Sequence, residues 1–513
     1  MRVAPVSAHA LESANTTVLS LLPPRILLAA VSGLLLGACG YNPSGEGAYD
    51  EGRFAIESVT IIDPGARSAN AARLTDQTVI VVGDRIERVG PSAEVSAPKG
   101  TRRIDGRGRF LIPGLWDMHV HPDDPEIWEL LQPPAHLRDL FMPNFVAWGV
   151  TGIRDMGGDW RVIQDWRSRI DAGSLVGPRI VAAGPLVDGP EPSWLGSVAV
   201  DSPARGRAAV DSLLAEGVDF IKVYGQLPRE AFFAVVARAH ERGVRVAGHV
   251  PDGVSLEDAL EAGLDDQQHL LKMQRVFSDW PSIMAQLQDI ADTFPRERLR
   301  LEAARLAEAN YDEELARAYY RRMAESGIWA TPTLVVWRRN AFYDPEDPTV
   351  VPWLRYVPAY LREWWTPEVN IHLRNATPES VEALRSYYRL WVRIAGELAD
   401  EGVRLLAGSD TGGNPHLIPG LSLHEELELL VGAGLTQLEA LRTATLNPAL
   451  YMGMDTELGT VETGKLADLV LLDADPLTDI ANTRSISAVV YRGTLLDRRS
   501  REALLDSMAS AAR

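Results

Sequence analysis

The chain has 513 residues, of which 46% are hydrophobic and 24% are charged, which is the composition of a globular protein. This length predicts one or two large domains, and the composition excludes a disordered chain, a collagen-like repeat and a membrane protein with many spans. The formal net charge of −19 argues against a nucleic-acid binder, because phosphate binding needs a basic face. The single cysteine, Cys39, excludes a disulfide within the chain.

An apolar run near the N-terminus, Ile26–Leu36, is too short to cross a bilayer but has the length of a signal-peptide core. It ends in Leu36-Gly37-Ala38-Cys39, which resembles the lipobox of bacterial lipoproteins, in which the cysteine is lipidated and becomes the new N-terminus. We therefore expect residues 1–39 to be a signal peptide and residues 40–53 a flexible tether. A buried apolar helix with a structural cysteine is the alternative.

The residue after Cys39 is Gly40, and not the aspartate that retains lipoproteins at the inner membrane. The resemblance therefore implies an exported lipoprotein of the outer membrane, facing the periplasm or the cell surface. We expect it to contact the membrane through a lipid on Cys39 and to act on a small molecule or short peptide. A homo-oligomer remains open.

Short β-strand patterns occupy both ends of the remaining chain, in residues 54–112 and 451–498. They predict one composite β-sandwich domain, with a C-terminal helix over residues 499–513. Two unrelated β-extensions are the alternative. The predicted strands are Phe54–Ile62, Thr78–Val82, Arg85–Val89, Arg102–Asp105, Ala467–Leu472 and Ala488–Tyr491.

Residues 113–450 alternate short apolar runs with amphipathic helical stretches, which is the pattern of parallel β-α-β units. Eight such runs predict an α/β fold, a (β/α)8 TIM barrel, whose active site lies at the C-terminal ends of its strands. Helical insertions at about residues 271–328 and 337–402 are far longer than a normal crossover and rich in aromatic side chains. They either pack as core or cover the barrel mouth. The eight runs are Leu115–Val120, Val150–Arg154, Arg179–Ala183, Asp219–Val223, Val244–Val250, Leu264–His269, Trp329–Val336 and Val403–Gly408.

Four histidines and one aspartate lie where predicted strands end. His119 and His121 close the first run, and residues two apart on a strand point to the same face. His249 and His269 close the fifth and sixth runs, and Asp410 follows the eighth. Each alone is more often an ordinary polar residue, but five together at one end of a barrel predict a metal site.

A lysine, Lys222, interrupts the apolar fourth run, where burying its charge is costly. A structural, ion-paired lysine is one interpretation. The other is that burial lowers the pKa of Lys222, so that the neutral amine captures carbon dioxide as a carbamate that bridges two cations. Tyr224 lies on the same strand face and is a candidate for binding a substrate carboxylate, with simple packing as the alternative.

Seven motifs resemble the amidohydrolase superfamily, and in particular its imidazolonepropionase-related and prolidase-like (Xaa-Pro dipeptidase) branch. Together they cover most of the chain from Phe54 onward except the aromatic insertions. They are Pro113–His121, Thr151–Gly158, Leu405–Asp410, His424–Leu427, Ala433–Thr436, Ala444–Ala449 and Gly464–Leu469.

The resemblance implies two divalent metal ions. Zinc is the usual metal for nitrogen and oxygen ligands of this kind, although the ligand set does not exclude manganese or iron. One departure concerns the sixth strand, where the family usually has Glu-His-Gly and this chain has Gln268-His269-Leu270, so a hydrogen-bond partner in the site differs. By the resemblance His119, His121 and Asp410 hold the first metal, His249 and His269 hold the second, and a carboxylated Lys222 bridges them.

The implied reaction is hydrolysis of a peptide-like amide. Two cations acidify a bridging water, and Asp410 takes its proton and passes it to the leaving nitrogen. A dipeptidase of the Xaa-Pro kind is preferred, with a free substrate carboxylate bound by Tyr224 or by an arginine of the second insertion, such as Arg338, Arg339, Arg355 or Arg362. The alternatives are a binuclear lactonase or organophosphate esterase, a cyclic-amide or imidazolone hydrolase, and a lipoprotein that only binds a ligand. The family's imidazolone hydrolases generally use one metal and lack the strand-four lysine.

Overall fold

The computed structural model describes residues 52–288, 296–366, 368 and 376–512. The predicted signal peptide, its Cys39 and nearly all of the predicted tether lie outside these residues. Within the described part of the chain, no helix combines the length and the hydrophobicity needed to cross a membrane.

Strands from both ends of the chain share one eight-stranded sheet, in the order β18-β17-β16-β5-β1-β2-β3 with β4 also paired to β1. The strand β5 joins the two halves, because it runs parallel to β1 and antiparallel to β16. The two ends therefore fold together, but a two-sheet sandwich is not confirmed. The strands are β1 (Arg53–Ile62), β2 (Arg73–Val82), β3 (Arg85–Pro91), β4 (Arg102–Asp105), β5 (Phe110–Pro113), β16 (Leu469–Leu472), β17 (Ile486–Tyr491) and β18 (Thr494–Asp497).

The middle of the chain forms two parallel sheets, which confirms the α/β class. One has the order β6-β7-β8 and the other the order β10-β9-β11-β12-β13-β14-β15. The strands are β6 (Leu115–Val120), β7 (Val150–Asp155), β8 (Arg179–Ala182), β9 (Val187–Asp188), β10 (Val198–Ala199), β11 (Ile221–Val223), β12 (Val246–Gly248), β13 (Asp266–Gln268), β14 (Trp329–Thr331) and β15 (Arg404–Leu405).

Strand pairing alone therefore does not give one closed eight-stranded barrel. Backbone hydrogen bonds nevertheless connect the two parallel sheets at both edges. The amide of Asp410 donates to the His119 carbonyl at 2.7 Å, and the amide of Asp219 donates to the Ala182 carbonyl at 2.9 Å. These bonds bring the carboxyl ends of the strands of both sheets to one side of the fold, where the predicted site residues lie.

The predicted seventh run, Trp329–Val336, is wrong in its second half, since β14 ends at Thr331 and a helix begins at Leu334. The backbone of Thr333 turns into the left-handed region, with φ of 50°, and ends the extended conformation. The apolar residues after it face the core from a helix, which a short apolar run cannot reveal.

Helices surround the parallel sheets, and several begin at capping signals readable in the sequence. Ser255 forms a capping box with Asp258 at the start of α6, and Thr377 caps the long helix α12. Both predicted insertions are helical. The helices are α1 (Pro125–Leu131), α2 (Phe141–Ala147), α3 (Trp160–Asp171), α4 (Pro203–Glu216), α5 (Arg229–Glu241), α6 (Leu256–Ala262), α7 (Trp280–Gln288), α8 (Arg296–Ala309), α9 (Glu313–Ser326), α10 (Leu334–Ala341), α11 (Ala359–Trp364), α12 (Pro378–Asp400), α13 (Leu421–Gly432), α14 (Gln437–Thr443), α15 (Leu446–Met452) and α16 (Arg498–Ala511).

Two aromatic side chains of the second insertion, Tyr387 and Trp391, pack as core, and Trp391 also approaches a strand end. The ring centroids of Tyr387 and Trp391 are 3.8 Å apart, and Trp391 is fully buried. The indole N–H of Trp391 donates to the His269 carbonyl at 2.5 Å. The insertion thus supports the segment that carries one of the predicted metal ligands.

Arg154 on β7 and Asp266 on β13 form a fully buried ion pair, with Nη2 and Oδ2 2.6 Å apart. We expect Arg154→Ala to lower the free energy of unfolding by about 3–5 kcal/mol, because Asp266 is then left buried without its cation. Chemical denaturation measures this. The matched change Arg205→Ala removes the exposed partner of Asp201 and should leave the unfolding midpoint unchanged; equal losses for both variants would contradict the prediction.

Candidate metal centre

Five strands place the predicted ligands at the same side of the parallel sheets. His119 lies on β6 and Lys222 on β11, while His249, His269 and Asp410 follow the last residues of β12, β13 and β15. In parallel sheets the carboxyl ends of neighbouring strands meet, which brings together residues that are almost 300 positions apart in the chain.

Three side chains of this group lie close enough together to hold one metal ion, and two more lie beside them. Ligand atoms of His119, His269 and Asp410 are all within 4.8 Å of one another. His119 Nε2 is 3.2 Å from Asp410 Oδ1 and 3.2 Å from His121 Nε2. The rings of His249 and His269 have centroids 5.0 Å apart, which extends the group to the fifth predicted ligand.

Hydrogen bonds orient two of the histidines toward a common point. Nδ1 of His119 is 2.5 Å from Oε1 of Gln268, and Nδ1 of His121 is 2.9 Å from the Gly157 carbonyl. Both oxygens only accept, so each Nδ1 carries the hydrogen and each Nε2 keeps its lone pair. Such partners fix the tautomer of metal-binding histidines.

Gln268, the first residue of the segment that departs from the family's Glu-His-Gly pattern, has hydrogen-bond partners on both ends of its amide. Its amide nitrogen donates to Asp266 Oδ2 at 2.5 Å while its oxygen accepts from His119. The neutral amide thus links a ligand to the buried Arg154–Asp266 pair. Leu270 takes the place of the family's glycine and has φ of 54°, a conformation that glycine adopts more readily.

Burial keeps the histidines neutral. Desolvation lowers the pKa of His119 and of His269 well below the usual 6.5, and nearby cationic groups lower them further. Burial also lowers the pKa of His121. Neutral imidazole is the form that binds metal ions, so the site needs no deprotonation of these rings at neutral pH.

Lys222 differs from the other two buried lysines. Lys272 donates to the carbonyl of Pro251, and Lys465 donates to that of Asp455 at 2.6 Å. The Nζ of Lys222 is fully buried and has no hydrogen-bond partner within the described residues. Burial lowers its pKa to about 7, and Asp410, Asp266 and Asp155 offset part of that effect. A buried amine whose pKa is lowered, and which has no hydrogen-bond partner among the described residues, fits a carbamate that would help to hold two cations.

Asp410 uses its two oxygens differently. Oδ1 faces His119 and His121, at 3.2 and 3.6 Å from their Nε2 atoms, while Oδ2 accepts from Asn414 Nδ2 at 3.1 Å. Its φ of 54° is a costly conformation for a residue other than glycine, and such strain is concentrated at functional sites. Gly408 lets the segment before Asp410 pass close to His119, since a Cβ on residue 408 would lie 2.6 Å from the Cβ of His119.

The structure places Tyr224 beside the site, with its ring centroid 4.3 Å from that of His249. Two arginines considered for binding a carboxylate are already paired inside the protein. Arg338 bonds Glu425 at 2.7 Å, and Arg339 bonds both Glu425 and Asp347. A substrate carboxylate would have to displace an internal carboxylate from either of them.

Sequence analysis assigned no role to Asn414, Arg154 or Asp155. Asn414 bonds Asp410 directly, and Arg154 reaches Gln268 through Asp266. Asp155 is fully buried, and burial together with Asp123 raises its pKa to about 8. The sequence signal for this network was Arg154, a charged residue at the end of the apolar run Val150–Arg154. A charge buried there needs an ionic partner.

A family model described as "Amidohydrolase family" matches residues 110–496. An imidazolonepropionase of Sphingopyxis alaskensis is 35% identical over 123 residues, which are 20% of this chain and 30% of that protein. An imidazolonepropionase of Micrococcus luteus is 24% identical over 456 residues, which are 83% of this chain and 93% of that protein. The first match therefore spans less than a third of its relative, and the second nearly all of it.

Solved structures show the same fold. A structure described as "AH, Bottromycin amidohydrolase" has a TM-score of 0.69, with 24% identity and coverage of 90% of both chains. A Xaa-Pro dipeptidase with methionine bound in its active site has a TM-score of 0.61 at 22% identity, covering 87% of this chain and 100% of the other. At these identities the likeness concerns the fold.

Proposed function

This chain belongs to the amidohydrolase family, and from that premise we propose that it is a metal-dependent hydrolase of carbon–nitrogen bonds that cleaves peptide-like amides. The observation that carries the proposal is the buried, unpartnered amine of Lys222 beside ligand-oriented histidines and Asp410. A simple binding protein has no need to leave a buried lysine without a partner, because burying it has a large free-energy cost.

The residues that would hold two divalent cations are those grouped at the strand ends. We propose zinc as the metal and a carbamate, formed from carbon dioxide and Lys222, as the shared ligand. When bound, such cations polarise the scissile carbonyl and acidify water. We also propose that the two parallel sheets form the closed (β/α)8 barrel that their connecting hydrogen bonds outline. The holding residues are His119, His121, Lys222, His249, His269 and Asp410.

Asp410 is the group that moves the proton. Its Oδ1 lies 3.2 Å from His119 Nε2 and its Oδ2 accepts from Asn414, which holds the carboxylate in the site, where it would take a proton from the attacking water. The same group then returns the proton to the leaving nitrogen. That second step is essential for an amide, because an amine leaves only when protonated.

Tyr224 supports a dipeptidase as the finer assignment. Its side chain is partly exposed beside His249, where its hydroxyl can donate to the carboxylate of a short substrate. The fold is shared with a Xaa-Pro dipeptidase, which agrees with a substrate that ends in proline or an apolar residue. Hydrolysis of an imidazolone, after the imidazolonepropionases to which the chain is similar, is the second candidate.

A substrate panel tests the assignment. We expect the zinc-loaded protein to hydrolyse dipeptides with a free C-terminal carboxylate, and we expect amidation of that terminus to raise KM strongly, because the charge read by Tyr224 is lost. Steady-state kinetics on peptides, lactones, phosphotriesters and imidazolone propionate measure this. Rapid turnover of lactones or phosphotriesters with inert dipeptides would refute the dipeptidase, and turnover of the imidazolone alone would favour the second candidate.

We propose that the protein is exported and anchored through a lipid on Cys39, on the basis of the Leu36-Gly37-Ala38-Cys39 box. Mass spectrometry of protein purified from bacterial membranes should find a mature N-terminus at a lipidated Cys39. Cys39→Ala should shift the protein out of the membrane fraction, whereas Ser44→Ala in the tether should not. An unprocessed N-terminus or an unmodified thiol on membrane-bound protein would rule the anchor out.

A further inference from the structure

A half-buried tryptophan stands among the predicted ligands without a part in the proposed chemistry. The ring of Trp194 lies 5.1 Å from that of His121 and 6.3 Å from that of Tyr224, and Tyr224 in turn lies 4.3 Å from His249. The four rings form an arc along one side of the site. Trp194 therefore bridges the group around Asp410 and the group around His249.

The segment that carries this ring, residues 189–197 between β9 and β10, is held firmly. Asp188 is fully buried, and its carboxylate accepts from the amide of Ser193 at 2.9 Å, from its hydroxyl at 3.1 Å and from the amide of Gln226 at 2.6 Å. The Trp194 carbonyl accepts from the hydroxyl of Ser197 at 2.8 Å. These bonds fix the backbone on both sides of the ring.

The segment is also tied to the loop after β11, which carries Tyr224. A Cβ on Gly189 would lie 2.2 Å from the carbonyl oxygen of Gln226, so only glycine permits this approach. Trp194 and Tyr224 are thus held by one shared framework, with Asp188 bonded to both loops. A rigid aromatic face beside a hydrogen-bonding hydroxyl is a recognition surface that loses little conformational entropy on binding.

We propose that Trp194 determines specificity by packing against the side chain of the substrate residue whose carboxylate Tyr224 binds. This inference rests on the proposed function and deepens it, since it assigns the substrate class to amides that end in an apolar, aromatic or proline residue. The ring of Trp194 lies 6.3 Å from that of Tyr224, so a substrate side chain next to a carboxylate bound by Tyr224 would lie within reach of the indole. An apolar substrate side chain placed there is removed from water against an indole face.

Two substrate series that differ only in the scissile bond test this. The first is alanyl dipeptides ending in glycine, alanine, leucine, phenylalanine or proline, and the second is the matching esters made with the 2-hydroxy acids of the first four. We expect wild-type kcat/KM to favour the large side chains over glycine. In Trp194→Ala this preference should fall about tenfold, the size of effect that one hydrophobic contact has on specificity. Trp194→Phe should keep most of the preference.

Leu195→Ala is the matched control, because Leu195 belongs to the same segment and is 44% exposed. It should behave as wild type, and metal content should be equal in all variants. An equal loss for all substrates in Trp194→Ala, or an unchanged preference, would overturn the inference. Failure of the proposed amide chemistry would appear instead as turnover of esters without dipeptides, and the ester series then still decides the role of Trp194. A protein that hydrolyses neither series has no such preference and overturns the inference too.

Discussion

Lys222→Ala is expected to lower metal content from about two equivalents per chain to one or fewer and to lower kcat/KM by at least about a hundredfold. Changing a group that merely hydrogen-bonds a metal ligand already costs about 10–100-fold, and Lys222 is proposed to be a ligand itself. Elemental analysis of the purified protein and steady-state kinetics measure the two effects. A short carboxylate such as acetate should restore part of both, because it supplies the two oxygens that the carbamate would provide.

The control for this variant is Lys272→Ala, which removes another buried lysine with a lowered pKa. Lys272 bonds the Pro251 carbonyl and is not among the predicted ligands, so its loss should affect stability and leave metal content unchanged. A Lys222→Ala protein with full metal content and full rate would show that the lysine is structural. One fully occupied metal in the wild type would favour a mononuclear site instead.

His119→Asn and Asp410→Asn are expected to fail in different ways. The first removes a predicted ligand whose Nε2 lone pair is directed into the site. We therefore expect metal to be lost and the rate to fall with it. The second keeps the shape and the bond to Asn414 but removes the group that carries the proton. Its kcat should fall by about 10²–10⁴-fold, the usual contribution of a general acid–base, with metal content reduced less than in His119→Asn.

His424→Asn provides the matched control for the histidine. His424 is fully buried but bonds Thr483 and the Trp148 carbonyl, outside the metal group. Its replacement should lower stability without removing metal. If His424→Asn and His119→Asn lost metal equally, the loss would report on folding and not on ligation. Equal kcat for Asp410→Asn and wild type would exclude Asp410 as the proton carrier.

Much of this site was predictable because its ligands follow local rules. The spacing of His119 and His121 puts both on one strand face, and apolar runs ending in histidine or aspartate mark strand ends. Lys222 was conspicuous for a similar reason, since a charge inside an apolar run needs an explanation. The predicted family is confirmed by the matching model. The ligand roles themselves remain predictions, and the experiments above address them.

The sequence by itself determined the strand and helix pattern, because hydrophobic periodicity and capping act over a few residues. The strand β6 spans the predicted Leu115–Val120. Only the tertiary structure decided which residues meet across the chain. The Gln268 amide at His119 and the Trp194 ring between those of His121 and Tyr224 both depend on segments that the fold brings together. No local pattern encodes such contacts, since their partners lie far apart in sequence and each residue alone is an ordinary polar or aromatic side chain.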